Sequence, residues 1–183
     1  GYTFLYFLPY LMPAAIIGIL FGFFYQPAFG TVNYVLGLLG LPKPGWLSDP
    51  RLAIWTVATV EMWLRIGFAT LITYSGLASL PPSLFEAARI DGASQWAEFR
   101  HVTLPGIRPT IVFMILMSAI WSFLVFDYIW ILTQGGPGGA SEVLGTLVVK
   151  NAFLKFEAGY GAAIGLTMSF QAGVMIFIFI VLR

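Results

Sequence analysis

The chain has 183 residues, 59% of them hydrophobic and only 9% charged, with a formal net charge of +1. A soluble domain carries about 25% charged residues, and nine Lys and Arg with eight Asp and Glu cannot give this chain a polar skin. Near-neutral charge gives no reason to expect nucleic acid or a polyanion, and zero cysteines remove disulfides, thiolate chemistry and cysteine-metal sites. The lipid bilayer is the solvent that suits such a composition.

The chain opens with Gly1 and runs directly into an apolar stretch from about Tyr2 to Phe24. That stretch is too long and too aromatic for a signal peptide, so the start reads as an internal cut in a longer membrane protein. Further apolar stretches follow at about Leu52–Leu80, with Glu61 and Arg65 inside; at about Thr110–Leu132, with Asp127; and at about Tyr160–Leu182, uncharged. Each reaches the roughly 20 residues that a helix needs to cross a bilayer core of about 30 Å. The stretches are too continuous for barrel strands, which predicts four transmembrane helices. Gly18 with Gly22, and Gly161 with Gly165, have the small-xxx-small spacing of close helix contacts.

Three segments separate the helices. Residues 25–51 hold Gly30, Pro42, Pro44, Gly45 and Pro50, with Trp46 placed as an interfacial anchor. Residues 133–159 open on the loop Gln134-Gly135-Gly136-Pro137-Gly138-Gly139 and continue as a short amphipathic helix from Val143 to Phe156. Lys and Arg divide equally, with Arg89, Arg100, Arg108 and Arg183 on one side and Lys43, Arg51, Lys150 and Lys155 on the other. The positive-inside rule therefore does not orient the chain.

The segment at about 81–109 is the most polar. Pro81-Pro82 stops the second membrane helix, and Ser83 with Glu86 three residues on predicts a capping box. Gly92 fits the position just past that helix, where positive φ is cheap. Ser94 then caps a second short helix through Trp96, Phe99 and Val102, ended by Leu104-Pro105. Ala87 and Ala88 keep one face slim enough to enter a groove, Leu84, Phe85 and Ile90 are apolar anchors, and Glu86, Arg89 and Asp91 set register. A helix resting on lipid would instead be rich in Lys and Arg.

Glu86-Ala87-Ala88, Asp91-Gly92-Ala93 and Leu104-Pro105 resemble the signature loop of binding-protein-dependent ABC importer permeases. Gly30-x-x-Asn33 and Trp46-Leu47-x-Asp49-Pro50 are similar to that family's first external loop, and Trp63-x-x-x-Gly67-Phe68 with Gly76-Leu77 to the helix before the signature loop. Phe126-Asp127-Tyr128-Ile129-Trp130 with Leu132-Thr133-Gln134-Gly135-Gly136-Pro137 is similar to the stretch after it. Together these resemble the first of two paired permease subunits of the maltose and glycerol-phosphate type, over nearly the whole chain. The resemblance implies an all-α membrane protein with a type I ABC importer transmembrane core. Residues 1–183 would form one domain, with four of the usual six helices and the N-terminal ones lacking. It implies that Glu86, Ala87, Ala88, Asp91, Gly92 and Ala93 couple to an ATPase on the cytoplasmic side. It also implies a multi-pass place in a bacterial cytoplasmic membrane, surrounded by lipid. The implied partners are a second permease subunit, two ATPase subunits and an extracytoplasmic solute-binding protein.

Charges inside the membrane are the other candidates. Glu61 and Arg65 lie four apart in the favourable order, so they either form a self-satisfying pair or line the solute path. Asp127 could hydrogen-bond a solute hydroxyl, pair with the partner permease or cap a neighbouring helix. All three are candidates for the translocation path. The cargo expected is a sugar or related polyol, with a non-carbohydrate solute as the alternative. The absence of clustered Arg or Lys in the helices weighs against a multiply charged anion. No Gly-x-x-x-x-Gly-Lys loop occurs, so ATP and magnesium are expected on the partner ATPase and no cofactor on this chain. An intramembrane enzyme lacks the means: His101 is the single histidine, expected at the surface, and no Ser–His–acid set or metal cluster can form. A secondary transporter coupled through Glu61, Arg65 and Asp127 is the distant alternative.

Overall fold

The computed structural model describes residues 6–182; residues 1–5, where the first expected span begins at Tyr2, and Arg183 lie outside them. Among the described residues the chain is helical and has no strand. A short 3-10 turn, Leu8–Leu11, precedes α1 (Ala14–Phe24) and α2 (Thr31–Leu38). Then come α3 (Ala53–Ala78), α4 (Pro82–Ile90), α5 (Gln95–Gly106) and α6 (Arg108–Leu124). The chain finishes with α7 (Asp127–Leu132), α8 (Leu144–Leu154) and α9 (Ala158–Leu182).

Two of the four expected spans are broken. In the first, Met12 is extended (φ −80°, ψ 137°) before Pro13, as a residue preceding proline prefers, and α1 keeps only 11 residues. In the third, α6 ends at Leu124; Val125 (φ −63°, ψ 133°) and Phe126 (φ −148°, ψ −54°) leave the helical region before α7 begins. By length and composition one described helix, Ala158–Val181, is apolar and long enough to cross a bilayer. Its 18-residue apolar window is 0% buried, as a lipid-facing surface would be. The 26 residues of α3 would reach about 39 Å at about 1.5 Å each, enough to span, although Glu61 and Arg65 dilute its apolar character.

The core is a seam of α1, α3 and α7. Ile17 and Phe21 of α1 meet Val57, Val60 and Leu64 of α3, and Tyr128 and Ile129 of α7 close the third side. Spacings of four along α1 and of three and four along α3 put these side chains on one stripe of each helix. Gly18 makes the seam close, since a Cβ there would stand 3.0 Å from the Ile131 Cβ and 3.3 Å from the Tyr128 Cα. Gly22 faces the same helix more loosely, with Leu132 Cδ2 at 3.8 Å. The second glycine pair divides: a Cβ on Gly161 would lie 2.6 Å from the Ala152 Cβ of α8, whereas Gly165 faces open space. The spacing rule is thus met in full by the first pair and by half of the second.

Candidate functional site

The loop between α1 and α3 is organised by Asn33, which is 2% exposed. Its amide donates to the carbonyls of Pro27 (3.3 Å) and Pro44 (3.2 Å), and its Oδ1 accepts from the Trp46 indole at 2.8 Å. Trp46 is therefore an internal tie rather than the interfacial anchor its surroundings suggested. The Thr56 hydroxyl lies 3.0 Å from the Trp46 carbonyl, fastening the loop to the first turn of α3. Asn33 and Trp46, one from each external-loop motif, are thus joined directly by a hydrogen bond. Asn33→Ala strands the Trp46 N–H and two carbonyls, and is expected to cost about 2 kcal/mol. Hydrogen–deuterium exchange should show faster exchange over residues 27–49, with α9 unaffected.

The two charged residues of the second span pair, and Asp127 of the third borders the same cleft as Arg65. Arg65 Nε donates to Glu61 Oε1 at 2.8 Å within α3. The pair does not satisfy itself alone, however. The Tyr128 hydroxyl of α7, 4% exposed as a residue, donates to the other Glu61 oxygen, and the Arg65 guanidinium lies 4.1 Å from the centre of the Trp121 ring of α6. Glu61 thereby holds the segment after the Val125–Phe126 break and Arg65 the segment before it. A cleft of about 260 Å³ opens beside them, lined by Arg65, Trp121, Phe126, Asp127 and Tyr128 with Leu64 and other apolar neighbours. Asp127 is exposed and takes part in no ion pair among the described residues. Sequence reasoning found the pair from its spacing. It missed Tyr128 and Trp121, whose 67- and 56-residue separations from their partners no local pattern encodes.

Pro82 corrects the expected start of the 81–109 hairpin. It occupies the first turn of α4 after an extended Pro81, and neither Ser83 nor Glu86 forms a capping hydrogen bond. Proline at that position needs no N–H partner and presets φ, so the helix starts two residues earlier without a side-chain cap. The far end is as expected. Gly92 has φ +75°, Ala93 N–H donates to Ala88 O at 2.9 Å, and Gly92 N–H donates to Arg89 O at 3.1 Å. These are the paired bonds of a Schellman motif, which close the last carbonyls of α4. Ser94 Oγ accepts from Ala97 N–H at 3.3 Å and so caps α5.

Arg89 and Glu98 form an ion pair at 3.1 Å between the two helices, so Arg89 is spent within the hairpin. Glu86, Ala87, Asp91 and Gly92 are exposed, Ala88 and Ala93 half-buried, and α4 has no buried residue. Pro105 does not end α5. The helix widens into a π turn at Phe99–Thr103, where the proline brings no N–H for the His101 carbonyl, and continues to Gly106. It then bends by 62° into α6. His101 is exposed as expected, its Nδ1 3.0 Å from the Ala97 carbonyl.

Residues 133–151 are bound by polar contacts as well. Ser141 Oγ, fully buried, lies 2.5 Å from the Gly136 carbonyl and 2.7 Å from the Thr133 hydroxyl. Glu142 pairs with Lys150 at 2.5 Å. The expected amphipathic helix is α8, and its buried Gly145, Thr146 and Asn151 turn inward. Its packing is against α6 and α9.

Three proteins illustrate what this arrangement is similar to. The trehalose/maltose transport system permease protein MalF of Thermococcus litoralis is 33% identical over 159 residues, covering 87% of this chain and 54% of that protein. The sulfoquinovosyl glycerol transport system permease protein SmoG of Agrobacterium fabrum is 32% identical over 161 residues, with 88% and 52% covered. A solved bacterial ABC transporter involved in import of the acidic polysaccharide alginate superposes with a TM-score of 0.84 at 26% identity, over 97% of this chain and 62% of that one. The chain spans 54–61% of the length of three of the curated relatives it matches. The family model described as "binding-protein-dependent transport system inner membrane component" matches residues 1–183, so the chain belongs to that family, with the type I ABC importer transmembrane fold.

Proposed function

We propose that this chain is the membrane-spanning permease part of an ATP-driven, binding-protein-dependent importer of a sugar or related polyol in a bacterial cytoplasmic membrane. It has no chemistry of its own in this reading. A second permease subunit completes the path, two ATPase subunits bind and hydrolyse ATP with magnesium, and an extracytoplasmic binding protein delivers the solute. The α4–α5 hairpin, within residues 81–109, is the coupling element. Glu86, Ala87, Ala88, Asp91, Gly92 and Ala93 meet the ATPase.

The observation that carries this reading is the hairpin itself. A helix with no buried residue has no packing reason to be ordered within its own chain. Yet α4 is closed by a Schellman motif and tied to α5 through Arg89–Glu98 and the Ser94 cap. An ordered exposed element of this kind can transmit a push as a unit. Glu61, Arg65 and Asp127 beside the aromatic cleft line the translocation path, where rings offer stacking faces to sugar CH groups.

The test is ATP hydrolysis by the reconstituted importer with its binding protein, over a panel of sugars and polyol phosphates. One compound class is expected to stimulate the wild type, and Glu86→Lys is expected to remove at least nine tenths of that stimulation. Stimulation that survives Glu86→Lys would exclude Glu86 from coupling. An intact complex that no compound stimulates would refute the sugar assignment.

A further inference from the structure

Glycine occupies the turn that follows α4, but phenylalanine occupies the corresponding turn after α8. Gly92 sits at φ +75° and Phe156 at φ +58°. In each case the chain turns back on the helix it has just left: Ala93 N–H donates to Ala88 O at 2.9 Å, and Glu157 N–H to Asn151 O at 2.8 Å. Glycine takes this left-handed conformation freely, whereas a Cβ crowds the neighbouring carbonyl oxygen, and a bulky residue there is an outlier. Within its own chain the Phe156 ring gains little to offset that cost, because it is 86% exposed. Resting on the permease reading above, we propose that Phe156, with Phe153 and Leu154, anchors the α8–α9 corner in the outer interface of the bilayer, so that lipid covers the ring.

Position decides the occupant. Phe153 and Leu154 close α8 and are 69% and 62% exposed, while its polar Thr146 and Asn151 are buried. The helix therefore turns polar groups inward and apolar ones outward at this end, the reverse of a surface that meets water. Phe156 lies just before Ala158, where α9 begins, and the apolar window of α9 is 0% buried. Tyr160, in the first turn of α9, is 60% exposed. These rings thus continue the lipid-facing surface of α9 at the level where a span meets the headgroups, which aromatic side chains favour. Lys155 and Glu157 flank Phe156 and are exposed, with Lys155 Nζ 3.1 Å from Asn151 Oδ1. Charges on both sides limit the depth: the ring enters the acyl boundary while its neighbours stay among headgroups and water.

The chain has no cysteine, so Phe156→Cys and Leu166→Cys each place a single nitroxide label on it. Leu166, 72% exposed, is the reference, about 12 Å along α9 from Ala158. The sample is the assembled importer, its other subunits free of cysteine, in phosphatidylcholine nanodiscs. Relaxation by oxygen should exceed relaxation by a water-soluble nickel chelate at both positions, on the order of twofold at 156 and more at 166, as depth requires. Chelate access dominating at 156 would put the ring in water, and a label shielded from both agents would put it against another subunit. A label that the chelate reaches until the binding protein is added would make it a docking contact. Each of these overturns the lipid anchor and leaves the permease reading standing, whereas chelate access at Leu166 as well would remove α9 from the bilayer and both readings with it. Phe156→Gly is the second test, because glycine suits the backbone there and a role confined to the chain predicts no loss. It should lower the temperature at which half the complex stays monodisperse in nanodiscs by about 2–4 °C, while Phe156→Trp, also suited to the interface, should keep it. A glycine variant as stable as the wild type would overturn the anchor.

Discussion

Glu61→Leu is expected to be the most damaging single change at the charged cluster, lowering stability by about 3 kcal/mol. The substitution leaves the Arg65 guanidinium without its carboxylate and the Tyr128 hydroxyl without its acceptor. In a membrane-spanning α3, an uncompensated arginine at the helix centre costs about 2.5–3.5 kcal/mol on insertion. Partial exposure of the pair and the Trp121 contact keep the cost below that of a fully buried charge. The double variant Glu61→Leu/Arg65→Met removes both charges and should recover most of the loss, because breaking a pair is more damaging than deleting it. Heating the purified complex and following the monodisperse fraction by size exclusion would give the ranking. A double variant no better than Glu61→Leu would mean that the loss lies in the Tyr128 bond, not in the stranded cation.

Gly18→Val is expected to cost about 3 kcal/mol and to separate α7 from α1. The first carbon beyond Cα would already stand 3.0 Å from Ile131 and 3.3 Å from the Tyr128 backbone. Valine adds two methyls to that collision and is stiff at χ1. No relief is available by rotating Ile131, because the nearest atom is its Cβ, which the backbone fixes. Gly22→Ala, one turn on, meets Leu132 at an ordinary 3.8 Å and should be tolerated within about 0.5 kcal/mol. The same heating measurement distinguishes the two positions, and equal losses at both would contradict the closeness of the α1–α7 seam.

How much of this was legible in the sequence depends on how local the cause is. The Gly92 turn and the Ser94 cap were readable because each rests on bonds within five residues. The Ser83–Glu86 box was misread for an equally local reason: Pro82 competes for the same helix start and needs no cap. The break at Met12-Pro13 could have been anticipated, since the proline was in plain view within an apolar run. By contrast, the interruption at Val125–Phe126 carries no proline or glycine at all. It is held by tertiary contacts, with Tyr128 drawn to Glu61 on one side and Trp121 engaged by Arg65 on the other. For the candidate site, spacing found Glu61 and Arg65 but could not find the aromatic partners on other helices. Trp46 was misjudged in the same way, its indole having a partner 13 residues back rather than a lipid headgroup.

The interruption at Val125–Phe126 also bears on hydration. Where a helix stops and restarts, the last carbonyls of α6 and the first N–H groups of α7 lose their partners one turn away. Hydrocarbon cannot replace those bonds, and each group left bare there would cost several kcal/mol. A chain can therefore stop its helix at that depth only where other protein or a column of water reaches it. The cleft beside Asp127 adjoins this stop, since Leu124, Val125 and Phe126 are among its walls. Wetting and interruption thus belong together: water entering from the cleft can solvate the freed backbone, and the freed backbone gives the water something to bind.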